Sequence, residues 1–154
     1  MKALVIYYSV SNHTASVANL IAEKLNVETE AIHTKDAYGD YIIDKTKREI
    51  ENKDYPSILP LSHNFDEYDT VILGTPTWWV SPSSPIYSLI KTGVLKGKTI
   101  YPFITTGFDV SGVEEKLREL LPDSKVMPSL IVSYTNAFRE TGDGEILDWA
   151  SKIK

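Results

Sequence analysis

Five short runs of β-branched and aromatic residues, separated by segments of helical period, limit what this chain can fold into more than any other feature. Residues 3–8, 70–73, 99–105 and 126–134 form apolar runs. These are continuous rather than alternating, as strands covered on both faces of a sheet require. Residues 27–33 alternate instead and suit an edge strand. Helical periodicity fills the intervals. Val17, Leu20, Ile21 and Leu25 share one face of residues 15–25, and Val113, Leu117, Leu120 and Leu121 do so over residues 113–121. Residues 145–153 carry a docking stripe with Ile146, Trp149 and Ile153, and residues 85–91 read as a further short helix. Strands alternating with helices predict an α/β parallel sheet with right-handed crossovers. With no internal repeat and no interdomain linker, residues 1–154 are expected to form a single domain. The one irregular stretch, residues 34–64, holds a charged helical piece at residues 44–52 flanked by Tyr38, Tyr41 and Tyr55. An insertion of that length points to a functional cover or to a loop with a small core of its own.

The chain contains no cysteine. That excludes disulfides, iron–sulfur clusters, thiolate zinc sites and CxxC chemistry together, so any redox role needs a borrowed cofactor. Asp and Glu outnumber Lys and Arg 21 to 16, a formal charge of −5. Such a surface disfavours nucleic acid and anionic membrane and suits a basic protein partner. The first apolar run is too short to span a bilayer, and polar residues begin at Ser9. No signal peptide is expected, and the cytoplasm is the default location. His13, His33 and His63 lie far apart, and neither GxSxG nor HExxH occurs. No catalytic residue and no metal site is therefore assigned.

The first run is followed by Ser9-Val10-Ser11-Asn12-His13-Thr14, after which a helix begins. Ser9, Ser11, Asn12 and Thr14 can each donate to an oxyanion, and His13 adds a further donor. The backbone N–H groups converge at a helix N-terminus, where the dipole favours an anion. Hydrogen bonds to a charged group contribute about 1.5–3 kcal/mol each, so several of them would offset a phosphate's desolvation without any Lys or Arg. An ordinary N-cap cluster uses the same residue types, and the loop alone leaves that alternative open. Neither the Gly-x4-Gly-Lys-Ser/Thr loop nor GxGxxG is present, which disfavours nucleotide hydrolysis and dinucleotide binding.

Two more loops follow strand C-terminal ends, where open α/β sheets bind ligands. One is Gly74-Thr75-Pro76-Thr77-Trp78-Trp79-Val80-Ser81-Pro82, and the other is Thr105-Thr106-Gly107-Phe108-Asp109. Side chains of adjacent tryptophans in an extended loop diverge. One is expected to pack while the other offers a flat face to a planar ligand, a contact of about 1–3 kcal/mol by analogy with base stacking. A plain surface tryptophan or a partner contact is the alternative.

Three such loops, in this order on five strands, resemble those of the flavodoxin-like FMN-binding family, which includes short flavodoxins and flavodoxin-like quinone reductases. Ser9, Ser11 and Thr14 match the hydroxyl positions of that family's phosphate loop, and His13 occupies a variable donor position. Asn12 stands where the family commonly has glycine; asparagine tolerates positive φ, so the turn is feasible. Thr75, Pro76, Thr77, Trp78 and Trp79 look like a ring-binding loop, with Trp78 aligned as the stacking residue. Thr105, Thr106 and Gly107 match the loop that wraps the flavin's polar edge, and Phe108 stands where many members have a second glycine. The resemblance implies an α/β three-layer sandwich, a five-stranded parallel sheet of order 2-1-3-4-5 with helices on both faces. It also implies noncovalent FMN and electron transfer to a redox partner protein. The alternative within the family is an FMN-dependent NAD(P)H:quinone-type oxidoreductase using a small quinone-like acceptor. Carrier flavodoxins commonly place a glycine peptide beside the flavin, and Thr77-Trp78-Trp79-Val80 has none. Size and acidity favour the carrier.

Overall fold

A computed structural model describes residues 2–107, 110 and 112–153. Its strands are β1 (Ala3–Tyr7), β2 (Glu28–Ala31), β3 (Thr70–Pro76), β4 (Thr99–Thr106), β5 (Lys125–Val126), β6 (Leu130–Thr135) and β7 (Phe138–Arg139). Its α-helices are α1 (His13–Leu25), α2 (Ile42–Asn52), α3 (Ser84–Lys91), α4 (Val113–Leu120) and α5 (Asp143–Ser151). The strands lie in the order β2-β1-β3-β4-β6-β7, with β5 also paired to β4. All pairings are parallel except that of β6 with β7. Taken as one interrupted strand, β5 and β6 complete the expected order 2-1-3-4-5.

The interruption has a local cause. Pro128 has no N–H to give to the ladder. The next N–H, that of Ser129, turns to the Glu114 carboxylate on α4 at 2.6 Å, and the Ser129 hydroxyl joins it at 2.5 Å. Arg118 donates to the other oxygen at 2.6 Å. Burial alone would raise the Glu114 pKa, but these bonds outweigh it and hold the carboxyl below its usual range.

Alternation along each strand divides the core into two layers. Ala3, Val5, Ile72, Phe103, Leu130 and Val132 face α1 and α5, meeting Val17, Ile21, Ile146 and Ala150. Leu4, Ile6, Val71, Leu73 and Ile100 face the other way, onto Ile86 and Leu89 of α3 and Leu117 of α4. The continuous apolar runs are thus covered on both faces, while β2 is an edge strand with Glu28 exposed. No helix among the described residues is long and apolar enough to cross a membrane.

Residues 34–64 form a side wall. Tyr55 stacks on Tyr87 of α3 at 4.3 Å between ring centroids, and the Ser88 hydroxyl donates to the Pro56 carbonyl. The segment's return is clasped to β2 by Glu30, whose buried carboxylate accepts the N–H groups of Ser62 (2.7 Å) and His63 (2.9 Å). The same carboxylate meets His63 Nδ1 at 2.7 Å, and His63 Nε2 lies 3.3 Å from Glu28. His63 is therefore a packed structural histidine, and His33 is exposed.

Desolvation pushes the Glu30 pKa up, but the Ser62 and His63 bonds overcome it and hold the value below the ordinary 4.5. The stability this contributes is complete above the unfolded carboxyl value and fades as pH falls through the lower folded value. Glu30→Gln is expected to lower stability at pH 7 by about 1–3 kcal/mol. The difference between wild type and variant should shrink on acidification below pH 4.5. Urea midpoints across that range measure it, and a pH-independent difference would mean the charge is not what holds the loop.

Candidate functional site

The C-terminal ends of β1, β3, β4 and β6 enclose a cleft of about 430 Å³. Ser11, His13 and Thr14 line it from the first loop, Pro76, Thr77 and Trp78 from the second, and Thr105, Thr106 and Gly107 from the third. Three loops far apart in sequence thus meet because their strands are parallel neighbours.

The first loop turns at Asn12, which takes φ 69 and ψ 1 as the N-cap of α1. Asparagine is among the few side chains that accept the left-handed region without large strain. Asn12→Ala is expected to cost about 1 kcal/mol and Asn12→Gly much less. Thermal denaturation compares them; equal losses would show that the dihedral is not what selects asparagine. The backbone N–H groups of residues 10–14 have no acceptor among the described residues, as expected of a helix N-terminus open at its end. The Ser9 hydroxyl accepts the Ala15 N–H at 3.2 Å. Ser9 thus closes the first turn of the helix rather than lining the cleft. Asn12 also stays off the cleft wall, shaping the loop through its backbone.

Two bonds tie the loops together. The buried Thr14 and Thr105 hydroxyls share a hydrogen bond of 2.8 Å. Thr77 donates its N–H (3.0 Å) and its hydroxyl (3.2 Å) to the Thr105 carbonyl. Thr75 is fully buried and its hydroxyl bonds Ser83 and the Pro76 carbonyl, so it braces the second loop from beneath.

The two tryptophans diverge. Trp78 lines the cleft, half-buried, with Tyr8 and Tyr38 edge-to-face at 5.6 and 5.5 Å. Trp79 leaves the cleft: its indole N–H donates to Thr46 of α2 at 3.2 Å. Trp79 and Val80 both have positive φ, 55 and 54, between the bridged Thr77 and Pro82. Positive φ at both central residues suits a two-residue hairpin, but a β-branched residue there is strained. Behind Trp78, the Tyr38 hydroxyl donates to the buried Glu49 carboxylate at 2.9 Å. Burial first, and the Glu49 charge second, push the Tyr8 pKa up to about 12, while burial and then the hydrogen bond to Glu49 raise that of Tyr38. This wall therefore offers protonated phenols near neutral pH.

Val10, Tyr134, Thr135 and Asn136 also line the cleft and were not expected. Tyr134 stacks flat on His13, with centroids 3.9 Å apart and planes 5° apart, and its hydroxyl donates to the His13 carbonyl at 3.3 Å. The rule that pointed to the other loops, position just past a strand C-terminus, applies equally to β6. Phe108 lies outside the described residues.

Hydroxyls and open N–H groups at one end, and a half-buried tryptophan with backbone-rich turns at the other, suit a ligand with an anionic tail and a flat head. A family model described as flavodoxin matches residues 2–152 of the chain. Among solved structures, a candidate flavoprotein from Bacteroides uniformis ATCC 8492 is 26% identical, with a TM-score of 0.86 over 98% of both chains. Another, from Bacteroides eggerthii DSM 20697, is 25% identical, with a TM-score of 0.84 over 97% of this chain and 96% of that one. A Lactobacillus acidophilus NCFM flavoprotein solved in complex with FMN is 22% identical, with a TM-score of 0.77 over 97% of this chain and 98% of that one.

Proposed function

This chain belongs to the flavodoxin family, and from that premise we propose that it holds one FMN noncovalently in the three-loop cleft and serves electron transfer in the cytoplasm. The observation that carries this reading is the cleft's polarity. N–H groups with no acceptor among the described residues lie with the Ser11 hydroxyl at the start of α1, and Trp78 lines the same cleft near the ends of β3 and β4. That donor set fits a phosphomonoester joined to a planar ring. Ser11 and the N–H groups of residues 10–14 would bind the phosphate, while Thr14 holds their loop to Thr105. Trp78 would orient the ring, and the loop at Thr105, Thr106 and Gly107 would meet its polar edge. FMN when bound supplies the redox chemistry, and the protein supplies position and field.

The test is mass spectrometry of the chromophore released from the purified protein. FMN is the expected result, and FAD or riboflavin would overturn the reading. A second reading, an FMN-dependent oxidoreductase with a small-molecule partner, is favoured by the strained, glycine-free turn at Trp79 and Val80. A potentiometric titration separates the two: two resolved one-electron waves favour the carrier, and one two-electron wave favours the oxidoreductase.

A further inference from the structure

Tyr134, near the end of β6, grips His13 twice. Its ring lies flat on the imidazole, with centroids 3.9 Å and planes 5° apart, and its hydroxyl donates to the His13 carbonyl at 3.3 Å. Tyr134 is itself buried, 9% exposed, in the core layer beneath α1 and α5. A histidine at the first position of a helix is ordinarily free to change rotamer in water. Here one neighbour covers a ring face and holds the backbone as well. Neither ring nitrogen of His13 has a partner among the described residues, and the residue lines the cleft.

The charge inventory gives that ring its importance. Among the described lining residues of the cleft, His13 alone can take a positive charge, and none carries a carboxylate. Charged groups on the neighbouring elements are committed elsewhere. Arg139 of β7, opposite Tyr134 in the ladder, donates to the Asp143 carboxylate at the start of α5 and to the Thr141 carbonyl. Glu140 accepts the Thr135 hydroxyl, and Glu145 lies beside Ser129 and Lys152 along β6. Asp109 of the third loop lies outside the described residues. The start of α1 disfavours a cation, while the phenol face favours one. A dianion in the cleft tips that balance, because an opposite charge a few ångströms away stabilises imidazolium.

We propose that Tyr134 is a positioning residue that holds the His13 imidazole towards the anionic tail of the ligand, so that the cleft takes a dianionic phosphomonoester together with one proton. The proton comes from solvent onto a ring nitrogen, which then donates to a phosphate oxygen, and it returns to solvent when the ligand leaves. The sign follows from that exchange. Affinity from the pair is complete at low pH, where the free ring is already charged, and fades as pH rises through the titration of the bound ring. That the tail belongs to FMN rests on the reading of the cleft as the flavin site.

The test measures FMN and riboflavin affinities between pH 6.5 and 9, above the second ionisation of a phosphate at about pH 6. Across that range wild-type FMN affinity is expected to fall about tenfold, the worth of one hydrogen bond to a charged group. Riboflavin affinity should stay level. His13→Gln should flatten the FMN profile. Tyr134→Phe keeps the stacked ring and should keep the slope, whereas Tyr134→Leu removes the ring and should lose most of it. Parallel FMN profiles for wild type and His13→Gln would overturn the proposal. So would an unchanged slope in Tyr134→Leu, or a slope that survives His13→Gln and disappears in Asp109→Asn. NMR of the His13 ring in the FMN-free wild-type protein needs no variant. Inorganic sulfate, which keeps both its charges over this range, is expected to move the ring's titration to higher pH while Overhauser contacts to Tyr134 persist. A titration indifferent to sulfate would overturn the proposal whether or not Tyr134→Leu folds. If the native chromophore were not FMN, the sulfate titration would still read the pair, so the two readings fail separately.

Discussion

Phe103→Ala is expected to cost the fold about 3–5 kcal/mol. The ring is completely buried in the layer beneath α1 and α5, and it occupies the space that a side chain at position 74 would need. A Cβ built on Gly74 would lie 2.2 Å from Phe103 Cζ and 2.5 Å from Cε2, so the ring lies directly over the β3 backbone. Removing it opens a cavity in the middle of the sheet, with Gly74 unable to fill any of it. Gly74→Ala overpacks the same spot and should cost about 1–3 kcal/mol. The two changes share one space, so the double variant Gly74→Ala with Phe103→Leu should lose less than the sum of its parts. Urea denaturation of wild type, Phe103→Ala, Gly74→Ala, Phe103→Leu and the double variant measures this. A loss below about 1 kcal/mol for Phe103→Ala, or strict additivity in the pair, would show that the ring and the glycine do not compete for this volume.

Trp78→Ala is expected to weaken FMN and riboflavin together, each by about 1–3 kcal/mol, roughly five- to 150-fold. Ser11→Ala should weaken FMN by about 1–3 kcal/mol and leave riboflavin almost unchanged, as expected if the proposed phosphate end lies at this loop. Trp79→Ala should change neither much, since its indole is bonded to α2 away from the cleft. Fluorescence titrations of the wild-type apoprotein and the three variants with both flavins give the eight affinities. If Trp79→Ala proved the more damaging of the tryptophan variants, the ring would have to lie on the α2 side of the hairpin. If Ser11→Ala weakened both flavins equally, the phosphate end would be misplaced.

The parallel sheet and its helices were legible because each leaves a local periodic trace. Leu4 and Val5 are both apolar since one layer lies on each side, and the 3.6-residue repeat of Val17, Leu20 and Ile21 follows from docking on that sheet. The end of the sheet was less legible. Residues 126–134 look continuous in hydropathy, and the break at Pro128 depends on Glu114, fifteen residues from Ser129, taking the N–H that the ladder loses. β7 has two residues and no period to detect. In the site, loops after β1, β3 and β4 announced themselves with hydroxyls and tryptophans. Tyr134 did not, because an aromatic inside an apolar run reads as core, and its stacking on His13 spans 121 residues. Divergence of Trp78 and Trp79 could be anticipated from extended geometry. The positive φ of Val80 could not, since it runs against the residue's own preference and is imposed by the bridge from Thr77 to Pro82.

The two margins of the sheet bear on behaviour at high concentration. On one side β2 is only four residues long and carries Glu28 and Glu30, the second buried under the loop it clasps. On the other, β6 turns at Asn136 into the two-residue β7, with charged Arg139 engaged by Asp143. A strand arriving from a neighbouring molecule would have to desolvate carboxylates at one margin and find almost no ladder at the other. Crowding should therefore drive copies of this chain together through helices or loops, and growth by sheet extension, the route to fibrils, is blunted at both ends.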